Sequence, residues 1–259
     1  MEKNKSKSLL RWFVLIVIAI HVLYNELFDL LFPVSTIASI SAKYKSLFTP
    51  AGYTFSIWGV IYIALIIYGI YQVLPSQRNK EIYNKIALPL MISLLLGIWW
   101  NISFHLELIG FSEIAIFLML VSAFYIYKIV EQSIFLGESE KTLLIPFSLY
   151  FGWLTVANVA SFTTWLVYIG SKGSVFGELD FVRILMGIIV VAAIIISGIY
   201  WDYWYILAIA WGYIGVYMEK KNDHLPIALA AFVCSVVLII WGVVLISVKR
   251  NPRSLNSRR

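Results

Sequence analysis

Long apolar runs separated by short polar turns fill this chain. Eight segments can be marked: about Leu9–Phe32, Tyr53–Leu74, Ile86–Leu106, Glu113–Val130, Leu143–Tyr168, Val182–Tyr200, Tyr203–Met218 and Leu225–Val248. Each is near the roughly 20 residues that cross a bilayer as a helix. Backbone groups in hydrocarbon must be paired within their own segment, so helices are expected. The runs lack the alternation of polar and apolar positions that a membrane barrel needs. The seventh segment is short and holds Gly212 and Gly215, and it meets the sixth through a tight turn around Trp201 and Asp202. That pair reads either as a close hairpin or as one broken element. The first run is too long for the apolar part of a signal peptide and has no small-residue cleavage site after it, so it reads as a retained helix. The fold class is an all-α integral membrane protein.

Charge tests the count. With eight spans both termini lie on one side. Of the 20 Lys and Arg residues, Lys43, Lys45, Lys172, Arg183, Lys220 and Lys221 fall on the far side, and the remaining fourteen gather with the termini. This places the termini in the cytoplasm, with the plasma membrane of a bacterium as the expected location. The net charge of +6 then belongs to cytoplasmic turns and tails. Anionic lipid, not nucleic acid, is its expected partner. Composition agrees: 61% of residues are hydrophobic and 13% charged, so the lipid bilayer is the solvent for most of the surface. The one cysteine, Cys234, excludes an intramolecular disulfide and reads as a small buried apolar residue. No soluble domain is visible; the longest polar piece is the loop Pro33–Gly52.

Candidate chemistry is sparse. No Walker loop, GxGxxG, HExxH or GxSxG occurs, so no catalytic residue is assigned. His21 and His105 lie within or at the end of apolar runs, and haem iron could use either. Glu26 and Asp29 share a helix face, and Glu107 and Glu113 flank a turn at the same end of the bundle. These four read as a cation or proton site or, more simply, as wet interfacial carboxylates. The aromatic sets carry a more specific pattern. Phe55, Trp58 and Tyr62 follow one another at helical spacing in the second segment. The third offers Trp99, Trp100, Asn101 and Phe104, and the fifth offers Tyr150, Trp153 and Asn158 after Pro146. Asn inside a span should bond to another helix. These sets read as helix packing or as a flat apolar pocket for a large planar small-molecule ligand.

The stretches FTPAGYTFSIWGVIY, WWNISFH and LLIPFSLYFGWLTVAN occur in order on the second, third and fifth segments. Together they resemble the TspO/MBR family of tryptophan-rich sensory proteins, related to the translocator protein or peripheral benzodiazepine receptor. In that family a proline turn leads into an aromatic helix start, the third helix carries an Asn with aromatics after it, and the fifth carries Pro-Tyr, Trp and then Asn. This chain has the single Pro50 for a double proline, and Phe104 and Tyr150 where Trp is usual. The resemblance covers about residues 9–168 and implies a five-helix bundle over residues 1–170, with about three more helices over 171–259. It implies a porphyrin, haem or similar tetrapyrrole as bound ligand, in transport or sensing, with the first loop as a lid and Pro50, Trp58 and Tyr62 at the pocket. A secondary transporter of another solute is the alternative. The last three helices read as a second layer, a homodimer surface or a partner site.

Overall fold

The computed structural model describes residues 2–31, 36–171 and 177–248. Phe32, the first residues of the Pro33–Gly52 loop, Lys172 and the basic tail from Lys249 lie outside these, as does the Asp29 side chain. The described residues form α-helices joined by short 3-10 turns, and no strand occurs among them. The helices are α1 (Glu2–Leu31), α2 (Ile37–Lys43), α3 (Ile57–Val73), α4 (Ile82–His105), α5 (Ile109–Phe135), α6 (Leu144–Tyr168), α7 (Glu178–Tyr200), α8 (Tyr203–Lys220) and α9 (Leu225–Ser247). The all-α membrane architecture expected from the hydropathy pattern is what forms. One buried hydrophobic cluster runs from Val14 in α1 to Leu245 in α9.

The Pro33–Gly52 loop, the longest polar piece of the chain, contains α2. Thr36 starts it by accepting the Ser39 backbone N–H on its side chain, a standard helix start. The second span runs Gly52–Val73, as expected from Tyr53–Leu74, with its first turn, Gly52–Ser56, in 3-10 form and α3 following from Ile57. α2 and this turn cover one end of the bundle, called the lid end below.

Among the described residues seven helices are long and apolar enough to cross a membrane: Ser8–Phe28, Gly52–Val73, Ile82–His105, Ile109–Phe135, Lys141–Tyr168, Glu178–Tyr200 and Leu225–Ser247. The expected seventh span, now α8, does not qualify on hydropathy, because Tyr, Trp and Gly replace much of its aliphatic content. Its packing shows why it need not. At its start the Ser148 hydroxyl donates to Asp202 at 2.6 Å, near the beginning of α6. At its end Lys220 Nζ donates to the Ser46 carbonyl at 2.6 Å, beside Thr163 near the end of α6. So α8 runs the length of α6, and its buried face includes Tyr205, Ile209, Tyr213 and Val216. A helix screened from lipid by neighbouring helices can carry polar and aromatic groups that those neighbours satisfy. The turn at Trp201 and Asp202 makes a hairpin rather than a broken helix: Trp201 takes the left-handed conformation and Asp202 caps α8 by accepting from Trp204 N and Tyr205 N.

Candidate functional site

The aromatic residues of α3, α4 and α6 meet just beneath the lid. Trp58 is the hub. Its ring stacks on Tyr62 at 5.7 Å and lies 6.0 Å from Trp100, 6.2 Å from Tyr150 and 6.2 Å from Trp153. Trp100 stacks on Phe104 at 5.6 Å, and Phe55 meets Trp153 edge-on at 6.1 Å. Offset and edge-to-face pairs of this kind are the favoured aromatic geometries. Local sequence produces the convergence: spacings of three and four residues hold Trp58 and Tyr62 on one face of α3, Trp100 and Phe104 on one face of α4, and Tyr150 and Trp153 on one face of α6. Tyr150 is held further by the Ser93 hydroxyl at 2.9 Å.

Phe55, Trp58, Trp100, Phe104 and Trp153, with Pro50, Ile116, Val156, Ala157, Ser161 and Thr164, line a cavity of ≈ 30 Å³. That is room for about two water molecules. Its walls are almost wholly apolar, yet three wall residues carry buried polar atoms without a partner: Trp100 Nε1, Trp153 Nε1 and Ser161 Oγ. Buried polar atoms are nearly always hydrogen-bonded in folded proteins, so three such atoms around one cavity mark a place suited to an acceptor group. A second space of ≈ 420 Å³ lies between α1 and α3 under α2, lined by Asn25, Glu26, Thr36, Gly52 and Tyr62 among others. The two share Ile37, Phe55 and Trp58, which form the wall between them.

Eight of the eleven residues expected at the pocket gather here: Pro50, Phe55, Trp58, Tyr62, Trp100, Phe104, Tyr150 and Trp153. The other three do not. Trp99 lies on the outer face of α4, 38% exposed, because a helix turns about 100° between adjacent residues and sends Trp99 and Trp100 different ways. Asn101 is fully buried but faces α1, donating to Asn25 Oδ1 at 2.9 Å. Asn158 donates to the Ile116 carbonyl of α5 at 3.1 Å. Both Asn side chains join helices, as expected for Asn inside a span. His21 belongs to the Asn101 network: Nδ1 donates to the Leu94 carbonyl at 3.0 Å, and Asn25 Nδ2 donates to Nε2 at 3.4 Å. With both ring nitrogens engaged, His21 has none to offer iron. Among the described residues no group of three His, Cys, Asp or Glu could hold a metal ion.

The last three helices bear on the lid through α8. The Trp211 indole donates to the Thr54 carbonyl at 2.8 Å, and Ala51 N donates to the Gly215 carbonyl at 3.0 Å. Lys45 pairs with Glu219 at 2.6 Å. Gly215 lacks a side chain because Thr54 occupies the space where one would stand. On the α6 side, a Cβ at Gly152 would meet the Tyr205 carbonyl oxygen at 2.5 Å. Reading the sequence missed Trp211, Gly215 and Lys220 as lid contacts. The small residues were visible, but nothing in the linear pattern says which helix they approach. From the other flank Lys43 and the Tyr44 hydroxyl both hold the Glu107 carboxylate, Lys43 at 2.6 Å. Those two donors keep Glu107 below the usual carboxylate range. Glu107 is therefore half of a lid latch, and Glu113 stands apart from it in a different groove.

No curated protein and no solved structure matches the chain. A family model described as TSPO-like protein matches residues 11–244, running from α1 through α9. With the match spanning most of the chain and the helical membrane architecture in place, this protein belongs to the TSPO-like family.

Proposed function

We propose that the aromatic cluster under the lid binds a planar apolar ligand, a porphyrin or a similar tetrapyrrole, for its transport or sensing across the membrane. The observation that carries this reading is the set of unpartnered donors, Trp100 Nε1, Trp153 Nε1 and Ser161 Oγ, around a cavity otherwise walled by aromatic rings. Rings offer stacking surface for a flat molecule, and the donors suit a carbonyl or carboxylate on its edge. The cavity of ≈ 30 Å³ is about a tenth of the smallest common ligand site. Binding therefore requires the wall of Ile37, Phe55 and Trp58 to swing and join the cavity to the ≈ 420 Å³ space beside it. Phe55 is the natural mover, since it sits on the 3-10 turn rather than in α3. We further propose that the termini face the cytoplasm, because with eight crossings fourteen of the 20 Lys and Arg residues fall on the side of the termini.

The test is a tryptophan-fluorescence titration of detergent-purified protein with protoporphyrin IX. Saturable quenching is expected, weakened about tenfold or more in affinity by Trp58→Leu and by Trp100→Leu and unchanged by Trp99→Phe. Quenching that none of the three alters would place the porphyrin elsewhere or nowhere specific.

A further inference from the structure

A separate groove of ≈ 610 Å³ runs between α5 and α6, lined by Gly110, Phe111, Glu113, Ile114, Phe117, Leu118, Phe162 and Trp165. Exposed apolar side chains are what any lipid-facing helix presents. A concave wall with one carboxyl group in it is not. Glu113 Oε2 is closed off from solvent and has no hydrogen-bond partner. The polar side chain that faces it is Ser161, a wall residue of the aromatic cavity, whose hydroxyl points toward the carboxyl group. Glu113 and Ser161 thus stand between the groove and the aromatic cavity.

We propose that this groove is a second binding site, for a lipophilic amine that reaches it from the bilayer and sets its ammonium against Glu113. Four observations select that chemistry. A carboxyl group largely shut away from water, with a single hydroxyl facing it, suits a ligand that brings N–H groups and positive charge. The surrounding rings of Phe111, Phe117, Phe162 and Trp165 attract a cation through their faces. Glu113 lies one turn from the start of α5 at Ile109, while Phe117 and Leu118 lie one turn deeper. An amphiphile with its head near the surface and its chain directed inward matches this order. Finally, among the described residues no Lys or Arg lines the groove, so a phosphate beside the amine would have no partner there and would face the carboxylate. That favours a phosphate-free amine over an aminophospholipid. The proposal does not depend on porphyrin binding under the lid.

The experiment is equilibrium binding of radiolabelled dodecylamine to the full-length protein in phosphatidylcholine nanodiscs, with empty nanodiscs subtracted. One saturable site is expected, with affinity at least tenfold weaker in Glu113→Gln. Ile114→Trp, a substitution on the exposed rim that fills the groove without touching the core, should abolish it. Trp58→Leu should leave it unchanged. Dodecanol and phosphatidylethanolamine should fail to compete. Absence of a saturable site, equal binding by Glu113→Gln, or equal competition by the alcohol or by the phospholipid would each overturn the proposal. The protoporphyrin titration on the same samples reports the lid site separately, so failure of one reading leaves the other standing.

Discussion

Trp153 is 1% exposed, and its indole N–H has no acceptor. A buried donor left unmade costs about 1–3 kcal/mol, so this residue is poorly explained as packing alone. Trp153→Phe keeps most of the ring and removes the N–H. Free protein should then be equally stable or up to about 1 kcal/mol more stable, while porphyrin affinity falls several-fold. Thermal unfolding read beside the fluorescence titration checks both, and a variant that loses stability without losing affinity would assign Trp153 to the core. Gly215 makes the opposite point, since the space beside it is already taken by Thr54. Gly215→Val should force the lid and α8 apart, with a loss of about 1–3 kcal/mol, measured as a lowered unfolding temperature in detergent.

At the scale of elements, each end of the bundle has its own fastening. Opposite the lid, Arg11 of α1 is buried and donates to the carbonyls of Gln77 and Lys80, both at 2.7 Å, with its guanidinium 5.2 Å from the Tyr83 ring centre. It ties α1 to the α3–α4 turn through these backbone carbonyls. Arg11→Ala should cost about 2–3 kcal/mol. Arg11→Lys should recover little, because one ammonium cannot reproduce the forked donor geometry. Comparative thermal unfolding of the two variants decides this. At the lid end α2 is held by Glu107. Its carboxyl lies below the ordinary value because Lys43 and then Tyr44 donate to it. A depressed carboxyl contributes its hold fully above the ordinary carboxylate range and loses it as pH falls through the lowered value. A spin label at Ala42→Cys, in a Cys234→Ser background, should therefore gain mobility only at strongly acidic pH. In Glu107→Gln the label should be mobile at neutral pH already and indifferent to acid.

At the scale of the whole molecule, α8 decides the topology. Among the described residues seven helices satisfy length and hydropathy and α8 does not, yet α8 runs beside α6 from Ser148 to the level of Thr163. If it crosses, the α5–α6 turn and the α8–α9 turn lie on opposite sides of the membrane. Cys234 is the one cysteine, so single-cysteine variants in a Cys234→Ser background report the sides directly. A cysteine at Ser139 and one at Asn222 should react with a membrane-impermeant maleimide from opposite faces of oriented vesicles. Labelling from the same face would mean that α8 lies within one leaflet and that the termini are on opposite sides.

Much of this was legible in the chain itself. Apolar length and the lack of alternation sufficed for a helical membrane protein, because hydrocarbon permits little else. The motif residues of the second, third and fifth segments marked the cluster, since local periodicity sets which side chains share a face. Adjacent positions such as Trp99 and Trp100 could not be sorted that way. Which of two neighbours points inward depends on where the next helix stands. The same limit hid the lid contacts of Trp211, Gly215 and Lys220, separated from Thr54, Ala51 and Ser46 by most of the chain. It also hid the difference between Glu107, latched by Lys43, and Glu113, set apart in a groove. Sequence alone determined the solvent, the element type and the faces of single helices, all of which rest on interactions between residues close along the chain. Only the tertiary structure decided which faces meet, because that depends on contacts between distant helices, where one buried donor or one missing side chain makes the difference.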